Sequence, residues 1–284
     1  MKISRIIESV VKKIFKIPNY FKSEKFNEII RSAHYNTSGH KELLFSDHNK
    51  IYYILKNREE ISKSILIHRQ FDFKVLEKGL KYLKIKKKFL ISVGSHVGTT
   101  LIPAIKLNLF EHCVAFEPSI DNFRLLTANI NINKIEKRVT LLNLALGSKV
   151  ANGYLKLFHP HNSGDYRITK KTKKAEKIKL NILDNFTSKI NRHNSLIFMD
   201  AQGHEPDIFL GGKKTLKKNI PIIFELEPNI INENKKKGLY NSLKDYKNLS
   251  DLKTYKVLKM NKINFYKIYE DCQKNTTQTD IIVF

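Results

Sequence analysis

Residues 89–98 read Phe-Leu-Ile-Ser-Val-Gly-Ser-His-Val-Gly, and the fold follows from them. Phe89–Val93 is apolar and β-forming, as a fully buried strand is. The chain then breaks at Gly94 and Gly98, and residues 99–110, TTLIPAIKLNLF, read as a helix. Strand, glycine turn and helix in this order are how an α/β fold holds a nucleotide or another anionic ligand. Glycines let the backbone bend and approach closely, and a helix N-terminus offers free N–H groups. Two glycines four apart also occur in ordinary turns between strand and helix, so the next stretch decides between the two readings.

Cys113–Phe116 is a second short apolar strand, and it ends at Glu117-Pro118. Glu117 lies roughly 20 residues beyond the glycine turn, the spacing at which a carboxylate at the next strand's end reaches the ribose hydroxyls of a nucleoside. A carboxylate suits that task because it accepts two hydrogen bonds from a diol. The plain alternative for Glu117 is an acid capping the following helix.

The chain has 284 residues and 41% hydrophobic content, enough for one large α/β domain with a real core. No run approaches the ~18 apolar residues of a membrane span. Two cysteines, Cys113 and Cys272, do not make a disulfide scaffold and fit a reducing, cytoplasmic setting. The net charge of +25, from 52 basic and 27 acidic residues, points to an anionic partner such as an acidic membrane surface, an anionic glycan or nucleic acid. Only eight of the 52 are Arg. Arg is the better residue for forked phosphate contacts, so the nucleic-acid reading is the weakest of these, and compositional drift toward Lys explains the charge equally well.

Residues 1–60 read as an extension to a domain at 61–284. Ile3, Ile6, Ile7, Val10, Val11, Ile14 and Phe15 follow helical spacing beside Lys2, Arg5, Lys12, Lys13 and Lys16. Such a helix packs on its own domain or a partner, or lies peripherally on an anionic membrane. Residues 23–50 are polar and irregular, with a turn at Ser38-Gly39. Glu42–Phe45 and Ile51–Leu55 read as a hairpin around Asp47-His48-Asn49. Glu59–Leu83 is mostly helical with a break near His68-Arg69-Gln70. Beyond the core strands, a helix is expected over Ile120–Asn131. Strands are expected at Val139–Leu144, Tyr154–Phe158, Lys179–Leu183, Leu196–Met199 and Pro221–Leu226. HPHNSGDYRI, residues 159–168, reads as a loop. Tyr255–Met260, Asn264–Tyr269 and Thr279–Phe284 read as tail strands closing the sheet edge.

Glu117, Asp200 and Glu225/Glu227 then stand at the C-terminal ends of successive predicted parallel strands, the edge at which open α/β sheets bind ligands. The segment Asp200-Ala201-Gln202-Gly203-His204-Glu205 is dense in acid–base groups. At this point ISVGSHVGTTLIPA, VAFEPSIDNFRLLTANI, HNSGDYRI, FMDAQGHE and PIIFELEP, in this order, resemble the FkbM-type S-adenosylmethionine-dependent methyltransferases over roughly residues 60–284.

The resemblance implies a class I, Rossmann-like methyltransferase fold, a mostly parallel seven-stranded sheet flanked by helices, with the N-terminal helix and hairpin as an addition. It implies O-methylation of a sugar hydroxyl in a polysaccharide or glycolipid, or of a small natural product, with S-adenosyl-L-methionine as cofactor. Ser92, Gly94, Ser95, His96 and Gly98 would wrap the methionine part, Glu117 would hold the ribose, and Asn143 and Ala145 would border the adenine. Asn162, Asp165 and Arg167 match an N-x-G-D-x-R loop near cofactor and substrate, and Glu225 matches an acid on the fifth strand. Asp200, His204 and Glu205 match a D-x-Q-G-H-E segment.

Methyl transfer is an in-line displacement that depends on aligning the acceptor oxygen. A sugar hydroxyl also needs a general base, and the Asp200/His204 pair is the first choice, with Glu205 orienting His204 or capping the next helix. His159, His161, Asp165 and His204 lack any tight ligand pair, so no metal is expected. One departure stands out: the family usually has Asp where this chain has Ser92, and Ala-Asn where it has Ser95-His96. Two alternatives follow, a nucleic-acid methyltransferase, drawn from the charge, and a non-catalytic binding protein that has lost cofactor affinity through Ser92.

Overall fold

The structure is a computed structural model, and it describes residues 24–37, 42–46, 50–56, 59–275 and 277–284. The amphipathic stretch 1–22 and the turns at Ser38-Gly39 and Asp47-His48-Asn49 lie outside the described residues. Helix α1 (Glu24–Thr37) replaces the irregular segment expected there. Arg31 on it donates to the carbonyl of Ile67 at 3.0 and 2.5 Å. Strands β1 (Glu42–Ser46) and β2 (Tyr52–Lys56) pair antiparallel as the expected hairpin. Helices α2 (Glu60–His68) and α3 (Phe73–Leu80) flank the expected break, where Arg69 and Asp72 adopt left-handed backbone.

The glycine-turn unit is β3 (Phe89–Val93) and α4 (Leu101–Lys106), followed by β4 (His112–Phe116), α5 (Ile120–Ile132) and β5 (Val139–Leu142). A smaller sheet comes next, built from β6 (Ala145–Leu146), β7 (Ala151–Leu157), β8 (Tyr166–Thr169) and β9 (Glu176–Asn181). Part of the expected 159–168 loop is therefore strand. The main sheet resumes with β10 (Ser195–Met199), α6 (Glu205–Leu210), α7 (Lys213–Leu216) and β11 (Ile222–Leu226). It closes with α8 (Glu233–Leu243), β12 (Asn248–Asp251), β13 (Val257–Lys259), α9 (Lys262–Lys274) and β14 (Thr279–Val283).

The main sheet has eight strands in the order β13-β12-β14-β11-β10-β3-β4-β5. From β11 to β5 all neighbours are parallel, while β14 runs antiparallel between β11 and β12. The short strand β13, antiparallel to β12, is one more than the seven expected. Asn264–Tyr269 is helix, not strand. Phe265, Ile268, Tyr269 and Cys272 are buried at helical spacing, and Asn261 caps the helix by accepting from the Asn264 N–H. Two apolar layers cover the sheet, one including Leu90, Leu101, Ile102 and Leu126, the other Ile91, Ile197, Phe224 and Phe265.

The hairpin is tied to α5 by two buried amides. Asn133 accepts from Tyr52 N–H at 3.0 Å and donates to its carbonyl at 2.7 Å. Asn129 accepts from Ile54 N–H at 2.6 Å and donates to the carbonyls of Ile54 and Val97 at 3.3 and 3.0 Å. The two amides stand in for a neighbouring strand, satisfying polar groups of β2 that burial would otherwise leave unpaired.

Candidate active site

The crossing from β3 into α4 is built around glycine. Gly94 has φ +75°, and a Cβ there would lie 1.7 Å from the carbonyl oxygen of Asp200, so no larger residue fits. The turn and the end of β10 are therefore in backbone contact. Both Gly94 and Ser95 donate their N–H groups to the carbonyl of Phe116 at 3.0 Å, which fixes the turn against the end of β4. Ser92 and Ser95 spend their side chains on each other, Oγ to Oγ at 2.9 Å. Gly98, also at positive φ, packs against Ile102 and Leu126 and does not line the cleft.

Beside the turn lies a cleft with about 870 Å³ of space free of protein atoms, part of it open to solvent. Ser92, Gly94, Ser95 and His96 line it together with Glu117 and Asn122, and Leu144, Ala145, Leu146, Tyr166 and Ile168 add apolar surface. Glu117 is 4% exposed. Its carboxylate accepts from the N–H of His96 at 2.8 Å and of Ser119 at 2.9 Å. Each oxygen keeps a further lone pair for a ligand. Asn143 holds the same corner from outside, donating to the carbonyls of Glu117 and Pro118 at 2.9 and 3.1 Å. Two buried polar atoms of residues on the cleft wall, His96 Nδ1 and Asn122 Oδ1, have no partner among the described residues. An apolar wall, a carboxylate with spare acceptors and unpaired polar atoms together fit a nucleoside-bearing cofactor such as S-adenosylmethionine.

The N-x-G-D-x-R segment borders this cleft through residues other than the three singled out from the sequence. Ser163, Gly164, Tyr166 and Ile168 line the cleft, and Asn162, Asp165 and Arg167 do not. Tyr166 and Ile168 share one face of β8, and Arg167 lies on the other, as strand alternation requires. Asn162 Oδ1 accepts from the Gly164 N–H at 3.0 Å. Asp165 is buried between His159 Nδ1 and Arg167 Nε, and Arg167 reaches Glu227 at 3.7 Å. The loop is held down by the side chain of Glu59, which accepts from the Ser163 N–H at 3.0 Å, and by His96 Nε2, 2.7 Å from Ser163 Oγ.

At the end of β10 the carboxylates converge. Gln202, at φ +50°, donates from Nε2 to Asp200 Oδ1 at 2.8 Å and to Glu225 Oε2 at 3.1 Å. Asp200 and Glu225 share a hollow of about 540 Å³ with Asp72, Asp280 and Lys253, and Asp72 and Asp200 line the cofactor cleft as well. Asp200 and His204 are not hydrogen-bonded to each other. His204 directs Nδ1 toward Asp207 at 3.3 Å, and Asp207 also takes Lys235 Nζ at 2.6 Å. The His204 Nε2 is unpaired on the cleft side, near Gly147. Glu205 is 1% exposed, accepts from the Ala201 N–H at 2.8 Å and does not line the cleft. Among the described residues no group of three or more His, Cys, Asp or Glu side chains is arranged to hold a metal.

Burial governs the protonation of this edge. It pushes Glu225 up to about 10, Asp72 to about 8 and Glu205 to about 8, and the charge of Asp200 adds to each shift. Glu117 rises to about 7 and Asp280 to about 6 for the same two reasons. Asp200 is raised by burial, against hydrogen bonds from Gln202 and Glu225. His96 and His204 are lowered by burial to about 4 and stay neutral.

In the unfolded chain the acids ionise near 4. The folded state therefore holds more protons than the unfolded one across roughly pH 5 to 9, and stability falls as pH rises through that window. The two histidines act oppositely and only between about pH 4 and 6.5, where the unfolded chain binds the extra protons. The five raised acids outnumber the two histidines, so the melting temperature should be highest at the acid end of the window, near pH 5, and decline steadily toward pH 9. Glu225→Gln should flatten the decline, and a melting temperature that climbs toward pH 9 would show the acids to be ionised.

The strand order, the glycine turn after β3 and the acid after β4 define a class I, Rossmann-like methyltransferase domain. The methyltransferase FkbM domain matches residues 92–255. The chain belongs to that family, whose cofactor is S-adenosylmethionine. Solved structures with a similar chain path include the FkbM methyltransferase of Methylobacillus flagellatus, at 14% identity and a TM-score of 0.47 over 79% of this chain. This chain spans 52% of that protein's length. M. jannaschii TYW2 in complex with AdoMet is similar at 13% identity and a TM-score of 0.43, over 87% of this chain and 86% of that one. Pyrococcus abyssi tRNA (uracil-54, C5)-methyltransferase gives 10% identity and a TM-score of 0.43, over 87% and 44%. No curated protein matches the chain. Among the described residues no helix is long and apolar enough to cross a membrane.

Proposed function

We propose that this protein is an S-adenosylmethionine-dependent O-methyltransferase acting on a hydroxyl of a sugar, in a polysaccharide or glycolipid, or of a small natural product. The observation that carries the reading is the carboxylate-lined hollow beside the cofactor cleft, formed by Asp72, Asp200, Glu225 and Asp280. Carboxyl groups accept hydrogen bonds from hydroxyls, and donate to them where burial keeps the proton on, so the hollow suits a polyol acceptor.

When bound, the cofactor supplies an electrophilic methyl group on a sulfonium. The chain's own residues do the rest. Gly94 lets the turn and the end of β10 close to backbone contact. Glu117 holds the ribose diol and so fixes the cofactor's register. Asp200, on the wall shared by cleft and hollow, receives the acceptor's proton. A carboxylate raised by burial is a stronger base than a free one, and Gln202 aims it. His204, neutral and held at Nδ1, presents Nε2 to the apolar part of the cleft.

The test is methyl transfer from labelled S-adenosylmethionine to a panel of neutral sugars, acidic glycans, small alcohols and RNA. Label on a sugar or alcohol oxygen is the expected result. Label only on RNA, or on nitrogen, would overturn the reading.

A further inference from the structure

Asp72 occupies the N-cap position of α3, where an aspartate ordinarily accepts from a backbone N–H two or three residues on. It does not do so here: its backbone is left-handed at φ +56° and its side chain makes no capping bond. The carboxylate instead stands in the wall between the cofactor cleft and the acid-lined hollow, and it lines both. It has no hydrogen bond or ion pair among the described residues. The other acids of the cleft are engaged. Glu117 holds two backbone N–H groups, and Asp200 holds Gln202. The hydroxyls of Ser92 and Ser95, at the glycine turn, are spent on each other and carry no charge.

S-adenosylmethionine brings an α-ammonium group at its methionine end, and the methionine end belongs at the glycine turn. We propose that Asp72 is the anionic partner of that ammonium group, an assignment that rests on reading the cleft as the S-adenosylmethionine site. A half-buried carboxylate beside Asp200 and Asp280 is costly to ionise alone, and an arriving cation offsets that cost. Asp72 precedes the glycine turn by about one helix and one strand, so no motif containing the turn includes it.

The test is a double-mutant cycle in binding, read by titration calorimetry. The ligands are S-adenosylhomocysteine and the same molecule without its amino group, and the proteins are the full chain and Asp72→Asn. Asn tolerates left-handed backbone, so the exchange should leave the loop intact, and Asp72→Ser is the second variant if it does not. The wild-type protein should prefer the amino-bearing ligand by about 10- to 100-fold, as a charge-assisted hydrogen bond would give. Asp72→Asn should abolish the preference and leave the affinity for the deaminated ligand unchanged.

A preference that survives in the variant overturns the proposal. So does an equal loss for both ligands, which would make Asp72 a structural residue, and so does an unchanged pair of affinities, which would assign it to the hollow. Failure of the wild-type protein to bind either ligand would instead overturn the reading of the cleft itself.

Discussion

Glu117→Ala should bind S-adenosylmethionine at least 100-fold more weakly than the wild-type protein, and it should still fold. Each hydrogen bond to a charged group contributes about 1.5–3 kcal/mol, and a carboxylate gripping a diol makes two. The Glu117 oxygens each already take one backbone N–H, from His96 and Ser119, so the side chain is fixed before any ligand arrives. Its loss also leaves those two N–H groups without their partner, at a cost of about 1–3 kcal/mol each in stability unless water enters.

Titration calorimetry reads the affinity, and a thermal melt confirms the fold. Burial holds Glu117 up to about 7, and the ribose needs the ionised form. Wild-type affinity should therefore fall several-fold between pH 7 and pH 6, with Asp72 contributing in the same direction. A Glu117→Ala protein that binds the cofactor normally would remove the assignment.

Glu117 could be read from sequence because its position is local: an acid one strand and one helix past a glycine turn has one place to go in a parallel sheet. Phe89–Val93 was legible for a related reason, since strands covered on both faces read as continuous apolar runs. Residues 264–269 misled because Ile263, Phe265, Tyr266, Ile268 and Tyr269 are rich in β-formers. The tertiary contacts of Phe265, Ile268, Tyr269 and Cys272, all on one helical face, override that preference.

β12 was invisible, for Asn248-Leu249-Ser250-Asp251 has almost no apolar signal. It is a strand because β14 and β13 pair with it on both sides. The site divides the same way. Gly94, Glu117 and Asp200 sit at strand ends, and the structure brings them to one cleft. Asp72, Ser163 and Tyr166 reach the cleft through packing of segments far apart in the chain, and Tyr166 carried a usable signal only in its alternation with Arg167. Asp200 and His204 both reach the cleft but make no hydrogen bond to each other, with Gln202 at φ +50° between them.

Asp200→Asn should lower methyl transfer by about 10²- to 10⁴-fold, the usual contribution of a positioned general base, and leave cofactor affinity nearly unchanged. The same substitution should raise the melting temperature. Asp200 adds a repulsive charge to Asp72, Glu205, Glu225 and Asp280, all of which are already raised by burial. An amide in its place keeps Gln202 and Glu225 within hydrogen-bond reach and removes that repulsion.

Loss of turnover with a gain in stability is the signature of a group retained for chemistry and not for the fold. A purely structural Asp200 would give the opposite, a lower melting temperature with turnover reduced in proportion. The competing base is His204, whose Nε2 is unpaired and whose Nδ1 is turned toward Asp207. It stands near Gly147 on the cleft side, whereas Asp200 is common to cleft and hollow. On the proposed reading the acceptor oxygen enters from the hollow, and that path passes Asp200. If Asp200→Asn retains transfer while His204→Gln abolishes it, the acceptor enters from the other side and the hollow is not its site.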